Sequence, residues 1–415
     1  MFTYSTPEIE LVLRTAHLDI DETSKNAIKA LLSNSTLDWN KVLNVADYNK
    51  VLPLVYRQIL AIDPESMPGG EFRAKLDGWI RYIEQHNKLL RQELKEIIQQ
   101  LYHLKIAFLC FKGPILSEVA YGSLDKREFF DLDFLFHKED IRTVRAALKQ
   151  RGYKEYLPIA DHELDMFQRY HFANLFRYTD PKTNMLIEID IHWSLLPKFW
   201  PLTIDKMELW SRSVQYDFDD IPARVFSVED TLVYLAIHNA KEHWWRYRMV
   251  TDVLYWIQAH PGMNWDTVMQ QARAARSTKM LLLALSIVSH YAPIELPEPI
   301  KQAMNDKKIQ VIADNRITAL YQNERKDVDV FRLSKDSFYY FSIFESWLDV
   351  VRYWFRMITL PQTRHLRLIL LPARLRFMYY PIKLVHDYIY LPLWQIMPMA
   401  IREKLKLMVK NTNNN

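Results

Sequence analysis

The chain has 415 residues, of which 49% are hydrophobic, and a formal net charge of +4. This length allows two or three domains, because a single hydrophobic core stops growing at roughly 250 to 300 residues. The seven glycines form neither a GxGxxG fingerprint nor a Walker-type phosphate loop, which argues against a Rossmann or P-loop enzyme.

The first 103 residues predict helices. Apolar residues recur at spacings of three and four over Pro7–Leu18, Ser24–Leu32 and Trp39–Ile59. The stretch MPGGEF then interrupts the pattern. A long amphipathic helix follows from about Ile80 to His103, so the chain begins with a helical region.

The centre of the chain predicts alternating strands and helices. KIAFLCF is a short apolar run that ends at Lys112-Gly113-Pro114, and a helix of about 115–121 follows it. FFDLDFLF predicts the second strand, a helix of 141–151 ends near Gly152, and MLIEIDIHW (Met185–Trp193) predicts the third strand. We therefore expect an α+β core, with a small mixed sheet and helices, between helical domains.

The remainder predicts helices over Val228–Ala259, Trp265–His290 and Pro299–Asn323, followed by an aromatic and arginine-rich region. The pattern as a whole suggests four parts: an N-terminal helical region (1–80), a core (81–215), a C-terminal helical domain (216–330) and a basic tail (331–415).

Charge is distributed unevenly along this plan. Residues 346–410 carry 11 Lys/Arg and 3 Asp/Glu, a local charge of +8, which leaves −4 for the rest. A basic, aromatic segment of this kind either packs on its own domain or contacts an anionic membrane surface. We favour packing, because its aromatic side chains supply a large apolar area.

Cysteine and targeting signals indicate the compartment. Cys110 is the single cysteine, which excludes a disulfide within the chain and a cysteine-based zinc site. The N-terminal residues lack a basic start followed by an apolar core, and no run reaches about 18 uninterrupted apolar residues. We therefore expect neither a signal peptide nor a membrane-spanning helix, and a cytoplasmic protein.

Two predicted strands carry carboxylates among large apolar residues. Side chains alternate along a strand, so Asp131 and Asp133 share one face, as do Asp190 and His192. If the strands are neighbours, the carboxylates converge on one patch, where oxygen ligands favour Mg²⁺ or Mn²⁺. Metal ions held in this way can activate a hydroxyl and neutralise charge on a transferred phosphoryl group. Glu188 shares the face, and we interpret it as a solvated structural residue.

The run LCFKGPILSEVAYGSLDKREFFDLDFLF, followed by IEIDIHW, resembles nucleotidyltransferases of the DNA polymerase β-like superfamily. Within it the chain is most similar to a bacterial family of uncharacterised nucleotidyltransferases, which share a Lys-Gly pair, an Arg before Asp-x-Asp, and Asp-x-His-Trp. The helical stretch with Asp252 is also similar.

The resemblance implies transfer of a nucleoside monophosphate from an NTP to an unidentified hydroxyl-bearing acceptor, with release of pyrophosphate (EC 2.7.7.-). The implied catalytic and metal-binding residues are Asp131, Asp133 and Asp190. The implied nucleotide-binding residues are Lys112, Gly113, Arg127 and His192. Ordinary surface or ion-pair roles are the alternative for Lys112 and Arg127, and core packing is the alternative for His192. A nucleic acid partner is not expected.

One departure from the superfamily supports an alternative. Members of the superfamily usually have a Gly-Gly or Gly-Ser pair, which lets backbone amides approach a triphosphate. This chain has Lys112-Gly113-Pro114 in that place. A lysine can supply charge to a phosphate, but the same change suits a degenerate core. The alternative is therefore a non-catalytic nucleotide-binding or assembly module of a biosynthetic pathway.

Overall fold

A computed structural model describes residues 3–323, 336–369 and 371–396. The described residues form two compact units. The first unit comprises Met1–Pro158, Ala173–Leu195 and Leu202–Trp347, and the second comprises Ile159–Phe172, Leu196–Pro201 and the chain from Leu348 onward. The four-part division stays a prediction, and its basic tail falls partly outside the described residues.

The first unit contains a seven-stranded mixed sheet in the order β3-β4-β5-β2-β1-β7-β6. Parallel pairs join β2 to β5 and β1 to β7, and the other neighbours are antiparallel. The strands are β1 (Phe108–Phe111), β2 (Asp131–Phe136), β3 (Lys154–Glu155), β4 (Ala173–Thr179), β5 (Leu186–His192), β6 (Val214–Phe218) and β7 (Ile221–Val225). The predicted α+β class is confirmed, although the sequence indicated only β1, β2 and β5.

Nine helices precede the last strands in the described chain. They are α1 (Pro7–Thr15), α2 (Glu22–Leu32), α3 (Trp39–Tyr48), α4 (Leu52–Ile62), α5 (Gly70–His103), α6 (Gly113–Tyr121), α7 (Ile141–Gln150), α8 (Leu164–Tyr170) and α9 (Lys206–Arg212). The predicted helix Trp39–Ile59 is wrong, because Lys50 takes a left-handed φ of 57° and Pro53 starts a new helix. The glycines of MPGGEF mark the beginning of α5, ten residues before the predicted start.

Helices α10 to α16 complete the first unit. Their bounds are Val228–Lys241, Arg248–Ala259, Trp265–Ala274, Thr278–Tyr291, Glu298–Met304, Lys307–Tyr321 and Asp336–Ile343. Three predicted long helices are each broken once. Arg276 has a left-handed φ of 59°, which ends α12, and Asp306 accepts hydrogen bonds from the first amides of α15 and so starts that helix. His243 and Trp244, both at φ 55°, separate α10 from α11.

The second unit includes α8 and the segment after residue 347. Its later elements are α17 (Trp347–Thr359, whose first residue belongs to the first unit), α18 (Thr363–Leu368), a 3₁₀ segment (Ala373–Met378), α19 (Tyr379–Val385), a π-helical turn (His386–Tyr390) and α20 (Leu391–Ile396). A small core joins Met166, Leu366 and Tyr379. Among the described helices, none is long and apolar enough to cross a membrane.

Candidate active site

The register of β2 and β5 brings the carboxylates together. The two strands are parallel neighbours, with Asp133 paired to Asp190 and Asp131 paired to Glu188. Residues opposite each other share a face of the sheet. Antiparallel β1 places Phe111 beside Asp133 on that face. The convergence expected from side-chain alternation is therefore present in the structure.

His192 lies between two of these carboxylates. Its Nε2 is 3.2 Å from Asp133 Oδ1 and 3.2 Å from Asp190 Oδ2. Burial lowers the pKa of His192, but the charges of Asp190 and Asp133 outweigh it and raise the pKa to about 9. In the chain without a bound cation, a positive charge thus occupies the space between the two aspartates at neutral pH. The sequence suggested a nucleotide contact for His192, and that role stays a prediction.

Asp133 keeps one oxygen that the protein does not satisfy. The residue is 6% exposed, and among the described residues its Oδ2 has no hydrogen-bond partner. Burial raises the pKa of Asp133, but Lys112 and His192 outweigh it and hold the pKa below its ordinary value. An ionised, buried oxygen without a donor is unfavourable unless a cation compensates it.

These residues fit a divalent cation. Ligand atoms of Asp133, Asp190 and His192 all lie within 4.8 Å of one another. Two carboxylates suit Mg²⁺ or Mn²⁺, and the imidazole, once a bound cation displaces its proton, would add a nitrogen ligand that the sequence analysis did not assign. The predicted ligand set had Asp131 in place of His192, and the role of Asp131 as a ligand stays a prediction.

Asp131 lies two residues before Asp133 on the same face and is only partly exposed. Burial raises the pKa of Asp131, and the adjacent charge of Asp133 adds to this, so that the pKa reaches about 6 despite the nearby Lys112. Such a carboxyl group next to a buried carboxylate is a candidate for a second ligand position.

Lys112 and Gly113 form a tight turn from β1 into α6. Lys112 has φ 60° and ψ −143°, a costly conformation for a residue with a side chain. Gly113 has φ 49°, and a Cβ there would come 3.3 Å from the carbonyl oxygen of Asp131. The turn therefore requires glycine at 113 so that α6 can approach β2 at the carboxylates.

The Lys112 ammonium points into this region. It lies 5.1 Å from the ring centre of Tyr234. Burial lowers the pKa of Lys112, but Tyr234, Asp133 and Asp131 together raise it above its ordinary value. Lys112 is therefore charged and close to the carboxylates, while its predicted contact with a phosphate stays a prediction.

Arg127 is engaged in a buried ion pair. Its Nε donates to Asp252 Oδ1 at 2.7 Å and its Nη2 to Asp252 Oδ2 at 2.9 Å, and Tyr121 donates to Asp252 Oδ1 at 2.7 Å. Asn87 donates to the backbone carbonyl of Arg127 at 2.9 Å. The pair fixes the loop before β2 to α11, and the predicted nucleotide contact of Arg127 stays a prediction.

Asp252 was absent from the predicted site. The signal in the sequence was a single acidic residue among apolar ones in α11, where Val250, Val253 and Leu254 are buried. Such a carboxylate requires a buried cation as partner. The sequence does not show which of the arginines that cation is, since Arg127 lies 125 positions away.

A second group of possible metal ligands lies in the second unit. His365, His386 and Asp387 have ligand atoms within 4.8 Å of one another. Asp387 Oδ2 accepts hydrogen bonds from Lys383 Nζ at 2.6 Å and from Arg364 Nη2 at 2.8 Å. Because two side-chain cations already compensate Asp387, this group has the chemistry of a structural anchor.

Two solved structures are similar to parts of the chain. One is an antigenic nucleotidyltransferase-like protein from Paracoccidioides brasiliensis, at 15% identity, 52% coverage of this chain, 93% of that chain and a TM-score of 0.33. The other is the lincosamide antibiotic adenylyltransferase LnuA with lincomycin bound, at 15% identity, 40% and 94% coverage and a TM-score of 0.26. No curated protein matches the sequence.

The family-level match is broader. The model of a family described as uncharacterised nucleotidyltransferases matches residues 35–293. This range contains every strand of the sheet and all the residues around Asp133 described above. It also covers more than half of the chain, and it agrees with the resemblance seen in the sequence motifs. The chain therefore belongs to this family of uncharacterised nucleotidyltransferases.

Proposed function

We propose that the protein transfers a nucleoside monophosphate from an NTP to a hydroxyl-bearing acceptor in the presence of Mg²⁺ or Mn²⁺. The observation that carries the proposal is the pairing of Asp133 with Asp190 on adjacent parallel strands, together with the unsatisfied Oδ2 of Asp133. In a family of nucleotidyltransferases, a cation-binding carboxylate pair is the expected centre of the reaction.

The proposed reaction forms one bond and breaks one bond. The acceptor hydroxyl oxygen bonds to the α-phosphorus of the NTP, the bond from that phosphorus to the bridging oxygen breaks, and pyrophosphate leaves. Asp190 accepts the hydroxyl proton. Asp131, Asp133 and Asp190, with His192 as an added ligand, would hold divalent cations that neutralise the charge developing on the phosphates. Lys112 adds a fixed positive charge on the side of α6.

Transfer of label from each α-labelled NTP to a cell extract, with Mg²⁺ or Mn²⁺, tests this proposal. We expect transfer by the wild type and loss of transfer in Asp190→Asn. Asp266→Asn is a matched control, because Asp266 is an exposed aspartate outside the site. An active Asp190→Asn variant, or a wild type that transfers none of the four nucleotides, contradicts the proposal.

The second candidate is a nucleotide-binding module without transfer activity. The turn at Lys112 and Gly113, where the wider superfamily has a pair of small residues, favours it. Calorimetry with each NTP separates the two candidates. Tight NTP binding without a divalent cation, unchanged in Asp133→Asn, would support the module, whereas cation-dependent binding that Asp133→Asn abolishes supports the transferase.

A further inference from the structure

The second unit exposes large apolar side chains. Phe355 is 66% exposed, Phe377 63% and Leu393 60%. Scattered single apolar residues are normal on a protein surface, but contiguous apolar patches mark interaction sites. The expectation that the aromatic residues of this segment pack inward holds for Tyr379, which is fully buried, and is wrong for Phe355 and Phe377.

The exposed residues form a stripe on one continuous helical stretch, from α19 through the π turn into α20. Val385, Ile389 and Leu393 are exposed and recur every four residues. The positions that alternate with them, Lys383 and Asp387, are buried and form an ion pair at 2.6 Å. Beyond the buried Tyr379, this stretch therefore directs an ion pair inward and an apolar stripe outward, opposite to the usual pattern of a surface helix.

Helix α17 repeats the arrangement. Val351, Phe355 and Ile358 are exposed at spacings of four and three residues, while Asp349 is 1% exposed. Two helices of the same unit thus leave an apolar stripe uncovered and bury an aspartate.

The charge that remains at the surface is positive. Residues 348–396 contain seven Lys/Arg and two aspartates, a net charge of +5; the unit's other two segments add two Lys/Arg and three Asp/Glu, which leaves +4 over its described residues. Both aspartates, Asp349 and Asp387, are buried, at 1% and 7% exposure. Arg352, Arg364 and Arg374 are exposed, and the first two each also pair through one nitrogen with Asp349 and Asp387. The surface is consequently both apolar and cationic.

From this combination we infer that the second unit docks on the surface of a membrane that contains anionic lipids. Helices with apolar stripes lie in the interface plane and bury those side chains among the acyl chains, while arginines at the rim meet the lipid phosphates. The docking is peripheral, and it does not depend on nucleotidyl transfer.

The chemistry argues against two other partners. Protein–nucleic acid interfaces are more polar than protein–protein interfaces, whereas this surface exposes several side chains without a polar atom. A second copy of the chain would bring like charges together across the same surface, which is unfavourable. An anionic bilayer complements both the apolar area and the charge.

Sedimentation of the full chain with lipid vesicles tests the inference. One set of vesicles contains phosphatidylcholine alone and the other contains phosphatidylcholine with phosphatidylserine. We expect binding to the anionic vesicles, weakening steeply as salt is raised, because exposed charges are screened beyond about 8 Å at physiological ionic strength. Little binding is expected to the neutral vesicles.

Surface variants locate the binding. The double variant Val385→Ser/Ile389→Ser is expected to bind anionic vesicles at least about tenfold more weakly, because it removes two apolar side chains from the interface. Arg374→Gln is expected to bind about fivefold more weakly, as one basic residue near the surface is removed. Val311→Ser and Lys308→Gln are matched controls on α15 of the first unit, where both residues are exposed, and should bind like the wild type.

Several results would overturn the inference. They are absence of binding to either vesicle, equal binding to both, or equal loss in the controls. Sedimentation velocity and oligonucleotide binding examine the rival partners. The inference is also overturned if the chain does not bind vesicles and instead shows one of two behaviours. It forms a dimer that dissociates in Val385→Ser/Ile389→Ser, or it binds an oligonucleotide and loses that binding in Arg374→Gln.

Discussion

Asp252 on α11 and Asp133 on β2 are each 6% exposed, yet the protein compensates the two carboxylates differently. Both oxygens of Asp252 accept hydrogen bonds, from the two-pronged guanidinium of Arg127 and from Tyr121. Asp133 has His192 at one oxygen, at 3.2 Å, and no partner among the described residues at the other. The difference distinguishes a carboxylate that holds the fold together from one that retains capacity for a ligand.

The comparison has a physical basis. A buried ion pair is strongly destabilised when one partner is removed, because the remaining charge is left without compensation. At Asp133, Lys112 and His192 already compensate the charge, but one oxygen lacks a hydrogen-bond donor among the described residues. Substitution of Asp252 should therefore lower stability more than activity, and substitution of Asp133 should lower activity more than stability.

The largest effect on stability is expected at Asp252. Asp252→Ala leaves the guanidinium of Arg127 buried without a counterion, and the free energy of unfolding should fall by about 3 to 5 kcal/mol. Urea denaturation followed by circular dichroism measures the change. The double variant Arg127→Leu/Asp252→Leu should recover much of the loss, because no isolated charge remains. A double variant as unstable as Asp252→Ala would show that packing, and not charge, dominates.

Asp133→Asn should show the reverse behaviour. We expect nucleotidyl transfer to fall about a thousandfold, because a cation ligand contributes several kcal/mol to the stabilisation of phosphoryl charge. The free energy of unfolding should change by no more than about 1 kcal/mol, since the amide retains the shape and one hydrogen bond. Mn²⁺ binding, followed by electron paramagnetic resonance, should weaken in parallel. A loss of stability equal to that of Asp252→Ala would remove the distinction between the two aspartates.

A third ionisable group, the half-buried His17 after α1, is uncharged in the folded chain at neutral pH. Its Nε2 lies 2.8 Å from the hydroxyl of Tyr247, and burial lowers the pKa of His17 to about 4. The unfolded chain, with a pKa near 6.5, binds a proton at a higher pH than the folded chain. The stabilising contribution is therefore complete above about pH 6.5 and is lost as the pH falls towards about 4.

The measurement is the free energy of unfolding at about pH 8 and about pH 5. His17 should account for a loss of about 2 kcal/mol over this range. His17→Gln keeps a hydrogen-bonding group but does not titrate. Between the two pH values its free energy of unfolding should therefore fall by about 2 kcal/mol less than that of the wild type. Equal pH dependence in the two proteins would mean that His17 does not titrate as its burial implies.

The sequence was sufficient for some of these features and not for others. Alternation along FFDLDFLF and IEIDIHW identified β2 and β5 and the face that carries Asp131, Asp133 and Asp190. The pattern was clear because each strand bears carboxylates on one face and large apolar side chains on the other. The pairing of Asp133 with Asp190 depends on the register of strands about fifty residues apart, and the alternation of each strand leaves that register undetermined.

Other features depend on contacts that are distant in sequence. β6 and β7 form an edge hairpin that the sequence analysis missed: VQYDF in β6 alternates, but each strand has only five residues and Pro222 interrupts the pattern of β7. An ion pair was one of the two roles open for Arg127, but its partner Asp252 was not identified, since each residue alone is compatible with many partners. The breaks between α3 and α4 and between α12 and α13 occur at Lys50 and Arg276, which the apolar spacing does not mark.

The smallest expected effect concerns the turn that brings α6 to the carboxylates. Gly113 and Gly122 begin and cap α6 with similar left-handed φ values of 49° and 66°. A Cβ at Gly122 would meet nothing within 4 Å, whereas one at Gly113 would come 3.3 Å from the carbonyl oxygen of Asp131. Alanine at either position costs about 1 to 2 kcal/mol of stability through backbone strain.

The two glycines should differ only in activity. Gly113→Ala pushes against the backbone of Asp131, and a small displacement of a catalytic group lowers the rate; we expect about a tenfold decrease in transfer. Gly122→Ala carries the same strain without that contact and should transfer nucleotide like the wild type. Thermal denaturation establishes that both variants lose similar stability, and the labelled-NTP assay then compares them. Equal activity in the two variants would show that the close approach of α6 to Asp131 does not matter for the reaction.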